Sequence, residues 1–183
     1  MVTIDWIRHT SLLVTGEICY GQTDVDVAPT FEAEAAAVRE KLLGRQYDAA
    51  FSSPLRRARK LADYCGLDYR TEPRVMERDF GAWEMMPWEE VFEMLRQEND
   101  ATDYHGHLEL MSPPGGETVN RLIGRVREFI EEIRSRGEGR VAVFCHGGVI
   151  NSARYLSGEL DLAHLFVDVP PYGSITSITY TAQ

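Results

Sequence analysis

The sequence predicts an α/β protein with one domain, built as a three-layer α/β/α sandwich around a mainly parallel sheet. Short apolar segments of strand length alternate with longer segments of helical periodicity, and turn residues separate the two kinds. A length of 183 residues suits one ordinary hydrophobic core. We therefore treat residues 1–183 as a single domain, with a lid predicted at about residues 85–116.

The first half of the chain is predicted to form three strands and two helices. Residues 2–8 have the length and apolarity of a buried strand, and the turn-rich segment 9–29 follows as a loop. The alanine-rich segment 31–43 predicts a helix, with Thr30 as its N-cap and Gly44 just beyond its end. The other elements expected here are a strand at 49–52, a helix from Pro54 to about Tyr64, and a strand near 67–71.

The second half continues the alternation after a long polar connection. A helix is expected from Pro87 to about Glu98, and the polar segment 99–116 is long for a connection without structure of its own. Apolar residues recur every three or four positions from Val119 to Ile133, which predicts an amphipathic helix. The last elements expected are a strand at 141–145, a helix at 149–156 and a strand at 174–181.

Composition and charge narrow the function classes. The net charge of −10 disfavours a nucleic acid or an anionic membrane as a partner. No export signal or apolar segment of membrane-spanning length is recognisable, so we expect a cytoplasmic protein. The three cysteines have no metal-ligand spacing and fit reduced thiols, and we expect neither a metal nor a cofactor.

Two histidines follow buried strands that the topology should bring together. His9 comes directly after the first strand, and His146 follows the strand at 141–145 and precedes a Gly-Gly pair. Ligands in open α/β sheets bind outside the carboxyl ends of the strands, so we expect both histidines in one pocket. A lone histidine at a strand end is more often structural, but two at the same sheet edge favour catalysis.

The neighbouring cations suit the transfer of a phosphoryl group, whose transition state spreads negative charge over three oxygens. Arg8 and Arg57 could each offer a rigid fork of donors to those oxygens. The backbone at Gly147, at a helix start, could assist the same anion. A histidine nucleophile needs a neutral nitrogen, which a nearby arginine favours. Arg57 lies in a basic run that could equally form a solvated helix face.

Five segments at plausible spacing carry a family resemblance. They are Arg8–Thr10, Ser52–Ala58, Glu77–Glu84, Gly115–Thr118 and Cys145–Gly148. Together they resemble the histidine phosphatase, or phosphoglycerate mutase-like, superfamily over nearly the whole chain. The resemblance implies that His9 is the phosphorylated nucleophile and that Arg8, Arg57 and His146 hold the phosphate. Glu77 occupies the position of the acid, and Glu84, Glu89, Glu90 and Glu117 are left as surface or helix-start charges.

The loop after His9 departs from the superfamily pattern at one point and is similar to one branch of the superfamily at another. The Gly-Glu-Thr that usually follows the histidine is replaced by Thr10, Ser11 and Leu12, and Thr15 stands where the family has asparagine. The group that fills the asparagine role is therefore open. The segment Cys19–Asp24 is similar to the α-ribazole phosphatase branch, which acts in cobalamin nucleotide-loop assembly. A small-molecule phosphomonoester is the expected partner, and a homodimer is left open.

Four aromatic residues flank the predicted lid and could stack on a flat base such as a benzimidazole riboside: Trp83, Trp88, Phe92 and Tyr104. Aromatic residues at such spacing are more often part of a core.

Several alternatives compete with this hypothesis. Cys145 could be a cysteine-phosphatase nucleophile, but Asn151 stands where that pattern requires arginine. Asp103, His105 and His107 are weak evidence for a metal site, since no second carboxylate cluster accompanies them. A broad-specificity phosphatase, a sugar-phosphate phosphatase, a mutase and a phosphate-binding module without catalysis stay open.

Overall fold

A computed structural model describes residues 1–99, 112–137 and 139–181. The strands in these residues are β1 (Val2–Arg8), β2 (Ala49–Ser52), β3 (Arg70–Thr71), β4 (Arg140–Cys145) and β5 (Ile175–Tyr180). The α-helices are α1 (Phe31–Leu42), α2 (Arg56–Cys65), α3 (Trp88–Asn99), α4 (Val119–Arg136) and α5 (Gly147–Ser157).

The five strands form one sheet in the order β3-β2-β4-β1-β5. β4 pairs in parallel with β1 and β2, and β2 pairs in parallel with β3. Only β5 runs antiparallel, beside β1 at one edge of the sheet. The predicted single-domain α/β fold with a mainly parallel sheet is therefore confirmed.

The alternation of side chains along each strand divides the core between the two faces. Ile4 and Trp6 of β1 pack with α4 and α5 on one face, where Phe129 meets Trp6 edge to face at 5.9 Å between ring centroids. Ile7 points the other way and packs with α1 and α2. Because both faces are covered, the central strand β4 is apolar and buried from Val141 to Cys145, as expected of a parallel sheet.

Several predicted boundaries are wrong by a few residues. Helix α5 begins at Gly147 rather than at residue 149, because the two glycines already form its first turn. Helix α2 begins at Arg56, so Pro54 lies before the helix instead of within its first turn. Strand β3 contains two residues only. The Thr30 hydroxyl bonds the Glu34 carboxylate at 2.6 Å and caps no helix amide.

The topology brings the two histidines to the same edge of the sheet. β1 and β4 are adjacent and parallel, with Arg8 opposite Cys145 in the register. His9 and His146 each directly follow one of these strands, so both leave the carboxyl edge side by side. Within the described parts of the chain, no helix combines the length and apolarity needed to cross a membrane.

Candidate active site

The hydrogen bond of His9 determines which ring nitrogen is available. Its Nδ1 lies 2.8 Å from the main-chain oxygen of Thr10. A carbonyl oxygen can only accept, so Nδ1 carries the proton and Nε2 keeps its lone pair. Burial lowers the pKa of His9 well below 6.5, and the positive charges of Arg57 and Arg8 lower it further. His9 is therefore a neutral imidazole with a nucleophilic Nε2.

His146 is also fully buried, and both of its nitrogens have protein partners. Nδ1 accepts from Nε of Arg57 at 3.3 Å, and Nε2 lies 2.8 Å from the hydroxyl of Ser53. An arginine cannot accept, so the proton of the neutral ring is on Nε2. Its pKa is lowered by burial and by Arg57. The ring centroids of His9 and His146 are 5.2 Å apart, which places both in one site.

Arg57 is completely buried at the start of α2 and binds the loop after β1. Its terminal nitrogens donate to the main-chain oxygens of Thr23 at 2.8 Å and Gly21 at 2.6 Å. Together with Nε, these bonds use three of its five donors. The alternative of a solvated basic helix face is therefore wrong for this residue. Direct phosphate contact by Arg57 and His146 stays a prediction.

Arg8 is the cation that reaches the cleft. One terminal nitrogen donates to the main-chain oxygen of Pro170, and the guanidinium lies 4.0 Å from the ring centroid of Tyr172. Its Nε is buried, and no described residue accepts from it. A buried donor without a partner is costly, so this position favours an incoming anion.

Glu77 faces the same cleft and is held at both carboxylate oxygens. Its Oε1 accepts from the backbone N–H of Arg78 at 2.8 Å, and Oε2 accepts from that of Gly148 at 3.1 Å. Its own main-chain oxygen accepts from Arg125 and Gln22, each at 3.0 Å. The carboxyl group is thus fixed in orientation, and each oxygen retains a lone pair that can carry a proton.

The two glycines after His146 are needed for close packing. A Cβ at Gly148 would collide with the carboxylate of Glu77, and one at Gly147 would collide with the side chain of Val169. Both glycines line the cleft at the start of α5. The first turn of α5 therefore presents backbone rather than side chains to the site, as a phosphate-binding helix start requires.

Arg8, Glu77 and the two glycines border one cleft of about 960 Å³. The buried side chains of His9, His146 and Arg57 are not among the residues that line it. Its polar end is formed by Arg8, Glu77 and the glycines of α5. The lining also includes six aromatic residues, which are Tyr20, Phe80, Trp88, Phe92, Phe166 and Tyr172. Aromatic side chains thus make up a third of the residues that line this large cleft.

The four aromatic residues considered in the sequence analysis differ in whether they line the cleft. Trp83 is buried in a small core and lines no part of the cleft, so it is not available to a substrate. Trp88 and Phe92 do line the cleft, and their rings stack at a centroid distance of 5.8 Å. Tyr104 lies outside the described residues, as does most of the predicted lid beyond Asn99. A closing lid therefore stays a prediction.

Glu84 has a structural role that the sequence did not reveal. Its carboxylate accepts from the backbone N–H groups of Gln22 at 2.8 Å, Thr23 at 2.7 Å and Phe80 at 3.1 Å. The expectation of a solvated charge is therefore wrong, because Glu84 shapes the loop that Arg57 also binds.

The other acids stay outside the reacting centre. Glu117 forms an ion pair with Arg125 at 2.7 Å. Glu89 and Glu90 are exposed, as expected, and Glu89 lies at the wall of the cleft. Among the described residues, Glu77 is thus the one catalytic-acid candidate that is both buried and part of the lining of the cleft.

The structure bears on the two alternatives to a histidine nucleophile, which are a cysteine nucleophile and a metal site. Cys145 is fully buried within β4, and burial raises the pKa of its thiol, which disfavours a thiolate. In the described part of the chain, no three histidine, cysteine or acidic side chains are grouped to hold a metal. Asp103, His105 and His107, which the sequence offers as weak evidence for a metal site, lie outside that part.

Sequence reasoning missed three residues of this site. Ser53 bonds His146, and Tyr20 and Tyr172 lie near the arginines. Ser53 was visible within a motif, but nothing in the local pattern assigned it a partner 93 positions away. Thr15, which stands at the asparagine position, is exposed.

A family model of the histidine phosphatase superfamily, branch 1, matches residues 6–183. The chain belongs to this superfamily. The two histidines, the two arginines and Glu77 thus lie within the matched region, at the carboxyl edge of the sheet. The catalytic and phosphate-binding roles that the resemblance implies for these five residues stay predictions.

Curated relatives of this superfamily member include two phosphoserine phosphatases. Phosphoserine phosphatase 1 of Hydrogenobacter thermophilus is 29% identical over 139 residues, which cover 74% of this chain and 65% of that protein. A metal-independent phosphoserine phosphatase of Arabidopsis thaliana is 30% identical over 179 residues, covering 87% of this chain and 74% of its own. The match thus spans slightly less than two thirds of the first relative.

Solved structures of the superfamily share the fold over nearly the full length. A phosphoglycerate mutase from Thermus thermophilus has a TM-score of 0.76 and 28% identity, covering 98% of this chain and 94% of that one. A mycobacterial glucosyl-3-phosphoglycerate phosphatase has a TM-score of 0.78 at 22% identity, with coverages of 96% and 89%. The second likeness concerns the fold alone.

Proposed function

We propose that this protein hydrolyses phosphomonoesters through a phosphohistidine at His9, and that its substrate is α-ribazole 5′-phosphate. The observation that carries the reaction class is the state of His9: a neutral, buried imidazole whose Nδ1 is hydrogen-bonded to Thr10 and whose Nε2 bonds none of the described residues. A residue that only bound phosphate would gain from a positive charge, whereas a nucleophile needs the lone pair. The family membership supports the same class.

The proposed reaction has two steps. In the first, Nε2 of His9 forms a bond to phosphorus while the ester P–O bond breaks, and the carboxyl group of Glu77 protonates the leaving oxygen. In the second, water attacks phosphohistidine, the P–N bond breaks, and Glu77 takes the proton from water. Arg8 and the first turn of α5 stabilise the charge on the phosphoryl oxygens.

The composition of the cleft supports a flat, uncharged leaving group. Trp88 and Phe92 offer a stacked aromatic wall, while Glu17 and Glu89 contribute negative charge. Among the described residues that line the cleft, Arg8 is the one cation. The residues 100–111 contain neither lysine nor arginine. A benzimidazole riboside needs no second cation, whereas a carboxylate-bearing substrate does.

Phosphoserine is the second candidate, because two relatives that cover most of this chain carry that name. Its carboxylate would have to be bound by backbone groups or by Arg8, which the phosphate also needs. Its ammonium group, however, would suit Glu17 or Glu89.

The experiment compares phosphate release from α-ribazole 5′-phosphate, phosphoserine, sugar phosphates, 3-phosphoglycerate and an aryl phosphate. We expect the highest kcat/KM for the riboside, and a loss on the order of 10⁴-fold or more in His9→Ala. Trapped enzyme should carry acid-labile, alkali-stable phosphate that His9→Ala lacks.

The outcomes separate the claims. Labelling that survives in His9→Ala would reject His9 as nucleophile, and no release from any substrate would favour a binding module. A preference for phosphoserine would keep the mechanism and replace the substrate. Isomerised phosphoester as the main product would make the protein a mutase.

A further inference from the structure

Two tyrosines from distant parts of the chain meet at the phosphate end of the cleft. The hydroxyl oxygens of Tyr20 and Tyr172 are 3.1 Å apart, and both residues line the cleft. Tyr20 lies in the loop after β1, and Tyr172 precedes β5. Neither residue has a part in the mechanism proposed above.

Both tyrosines are positioned by the reacting groups or their neighbours. The ring of Tyr172 lies 5.4 Å from that of His9 and 4.0 Å from the guanidinium of Arg8. The guanidinium of Arg57 lies 5.2 Å from the ring of Tyr20. The main-chain oxygen of His9 accepts from the N–H of Gly173, directly after Tyr172, at 3.1 Å. The hydroxyl pair is therefore anchored beside the nucleophile.

The two hydroxyl groups and Arg8 have donor hydrogens that no described residue accepts. Two hydroxyl groups contain two protons, and the bond between them uses one. The Nε of Arg8, beneath Tyr172, also has no acceptor among the described residues. Burial, followed by the proximity of Tyr172, raises the pKa of Tyr20, so its hydroxyl keeps its proton. At least one hydroxyl proton and one guanidinium proton are thus available to an anion.

We propose that the hydroxyls of Tyr20 and Tyr172, together with Nε of Arg8, bind the oxygens of the phosphoryl group as it transfers to His9. This inference rests on the proposed function and adds two catalytic residues to it. A hydroxyl forms a stronger hydrogen bond with a charged phosphoryl oxygen than with a neutral acceptor, because charge-assisted hydrogen bonds are the stronger ones. The hydroxyl pair supplies uncharged donors in a cleft where Arg8 is the one cation among the described lining residues.

The test replaces each hydroxyl without removing the ring. Tyr20→Phe and Tyr172→Phe preserve the aromatic contacts with the arginines, and Tyr64→Phe is the matched control. Tyr64 lies on α2, where its ring meets Phe31 edge to face at 5.8 Å. With an aryl phosphate as substrate, the measured quantities are the inhibition constant of orthovanadate and the single-turnover rate of His9 phosphorylation. The midpoint of thermal unfolding verifies that each variant folds.

We expect each site variant to weaken orthovanadate inhibition and slow phosphorylation by on the order of tenfold, as for a lost bond to a charged group. Tyr64→Phe should match the wild type in both. Unchanged constants in folded site variants would overturn the inference and leave the phosphohistidine mechanism intact. Faster phosphorylation would show the pair to be a barrier, which also overturns it. A wild type that never phosphorylates His9 would remove both proposals.

Discussion

Strand β1 carries two charged residues three positions apart, and their surroundings are opposite. Asp5 is completely buried on the side of α1 and α2. Its carboxylate accepts from Arg45 and Tyr47, both at 2.7 Å, from Arg140 at 3.0 Å and from Ser177 at 2.6 Å. Every lone-pair direction of this anion is therefore satisfied within the fold.

Arg8, at the end of the same strand, has hydrogen-bond donors that are not all satisfied by the described residues. Within the described residues, no carboxylate lies at ion-pair distance from Arg8 or Arg57. Arg8 has an unpartnered Nε, and two neutral histidine rings share the same end of the sheet. Each of the two arginines lies near a tyrosine ring, Arg8 at 4.0 Å from the centroid of Tyr172 and Arg57 at 5.2 Å from that of Tyr20.

The difference separates a charge that stabilises the fold from charges that serve a reaction. The Asp5 cluster has its counter-charges built in, so binding a ligand would add nothing to it. At the Arg8 end, the Glu77 carboxylate lines the same cleft but forms no ion pair with Arg8, so a phosphate could still pair with this cation. Three predictions test this contrast.

The largest effect is expected from Asp5→Ala, which removes the shared acceptor of two arginines. The free energy of unfolding should fall by about 3 kcal/mol, since breaking a buried ion pair leaves its partners uncompensated. Chemical denaturation measures the loss, and Asp68→Ala, an exposed acid on the surface, serves as control. Normal kcat/KM in the folded variant is expected, and a catalytic defect without loss of stability would contradict the contrast.

The pH window of the Asp5 contribution follows from its pKa. Burial alone would raise it, but hydrogen bonds from Arg140, Ser177, Tyr47 and Arg45 outweigh that effect and lower the pKa of Asp5 from 3.8 to about 2. The stabilisation is therefore fully present above pH 4 and is lost as the pH falls through 2.

The second effect is expected from Arg57→Ala, which removes a buried cation that binds His146 and the loop containing Gly21. The rate constant kcat should fall by on the order of a hundredfold or more, as for a lost transition-state donor. Steady-state kinetics with an aryl phosphate measures it, and Arg59→Ala, exposed on the same helix, should be unaffected. A variant with normal kcat would show that Arg57 only supports the loop.

The smallest effect is a shift in the pH profile of Arg8→Gln. Burial is the main reason for the low pKa of His9, and the charges of Arg57 and Arg8 add to it. The wild type should therefore keep His9 neutral, and active, at pH values below 6.5. Losing one positive charge raises the pKa of His9, so the acidic limb of kcat/KM should move to higher pH. An unmoved limb in Arg8→Gln, with Arg59→Gln as reference, would assign it to another group.

The sequence alone was sufficient to predict the layers of the fold and the proximity of His9 and His146. Apolar strands followed by helices restrict the topology, and parallel neighbours bring their carboxyl ends together whatever the loops do. Boundaries were less accurate, because Gly147 and Gly148 have low helix propensity yet form the first turn of α5. Contacts with Glu77 and Val169 require glycine there, and only the folded chain contains those contacts.

The finer parts of the site could not be predicted for the same reason. Tyr20 and Tyr172 are 152 positions apart in the sequence, and local periodicity cannot predict a contact between residues so far apart. Glu84 resembled a surface acid because its acceptor role depends on a loop some 60 residues earlier. Trp83 resembled its neighbours in the sequence, yet it packs into a core while Trp88 lines the cleft.

The burial of the thiols has a consequence for how such an enzyme meets oxidative stress. Burial raises the pKa of Cys19 and Cys145, and it raises that of Cys65 to about 11. Peroxide attacks the thiolate form, which these cysteines do not populate near neutral pH. The proposed reaction at His9 needs no thiolate, so we expect it to be insensitive to peroxide at concentrations that inactivate thiolate-dependent phosphatases.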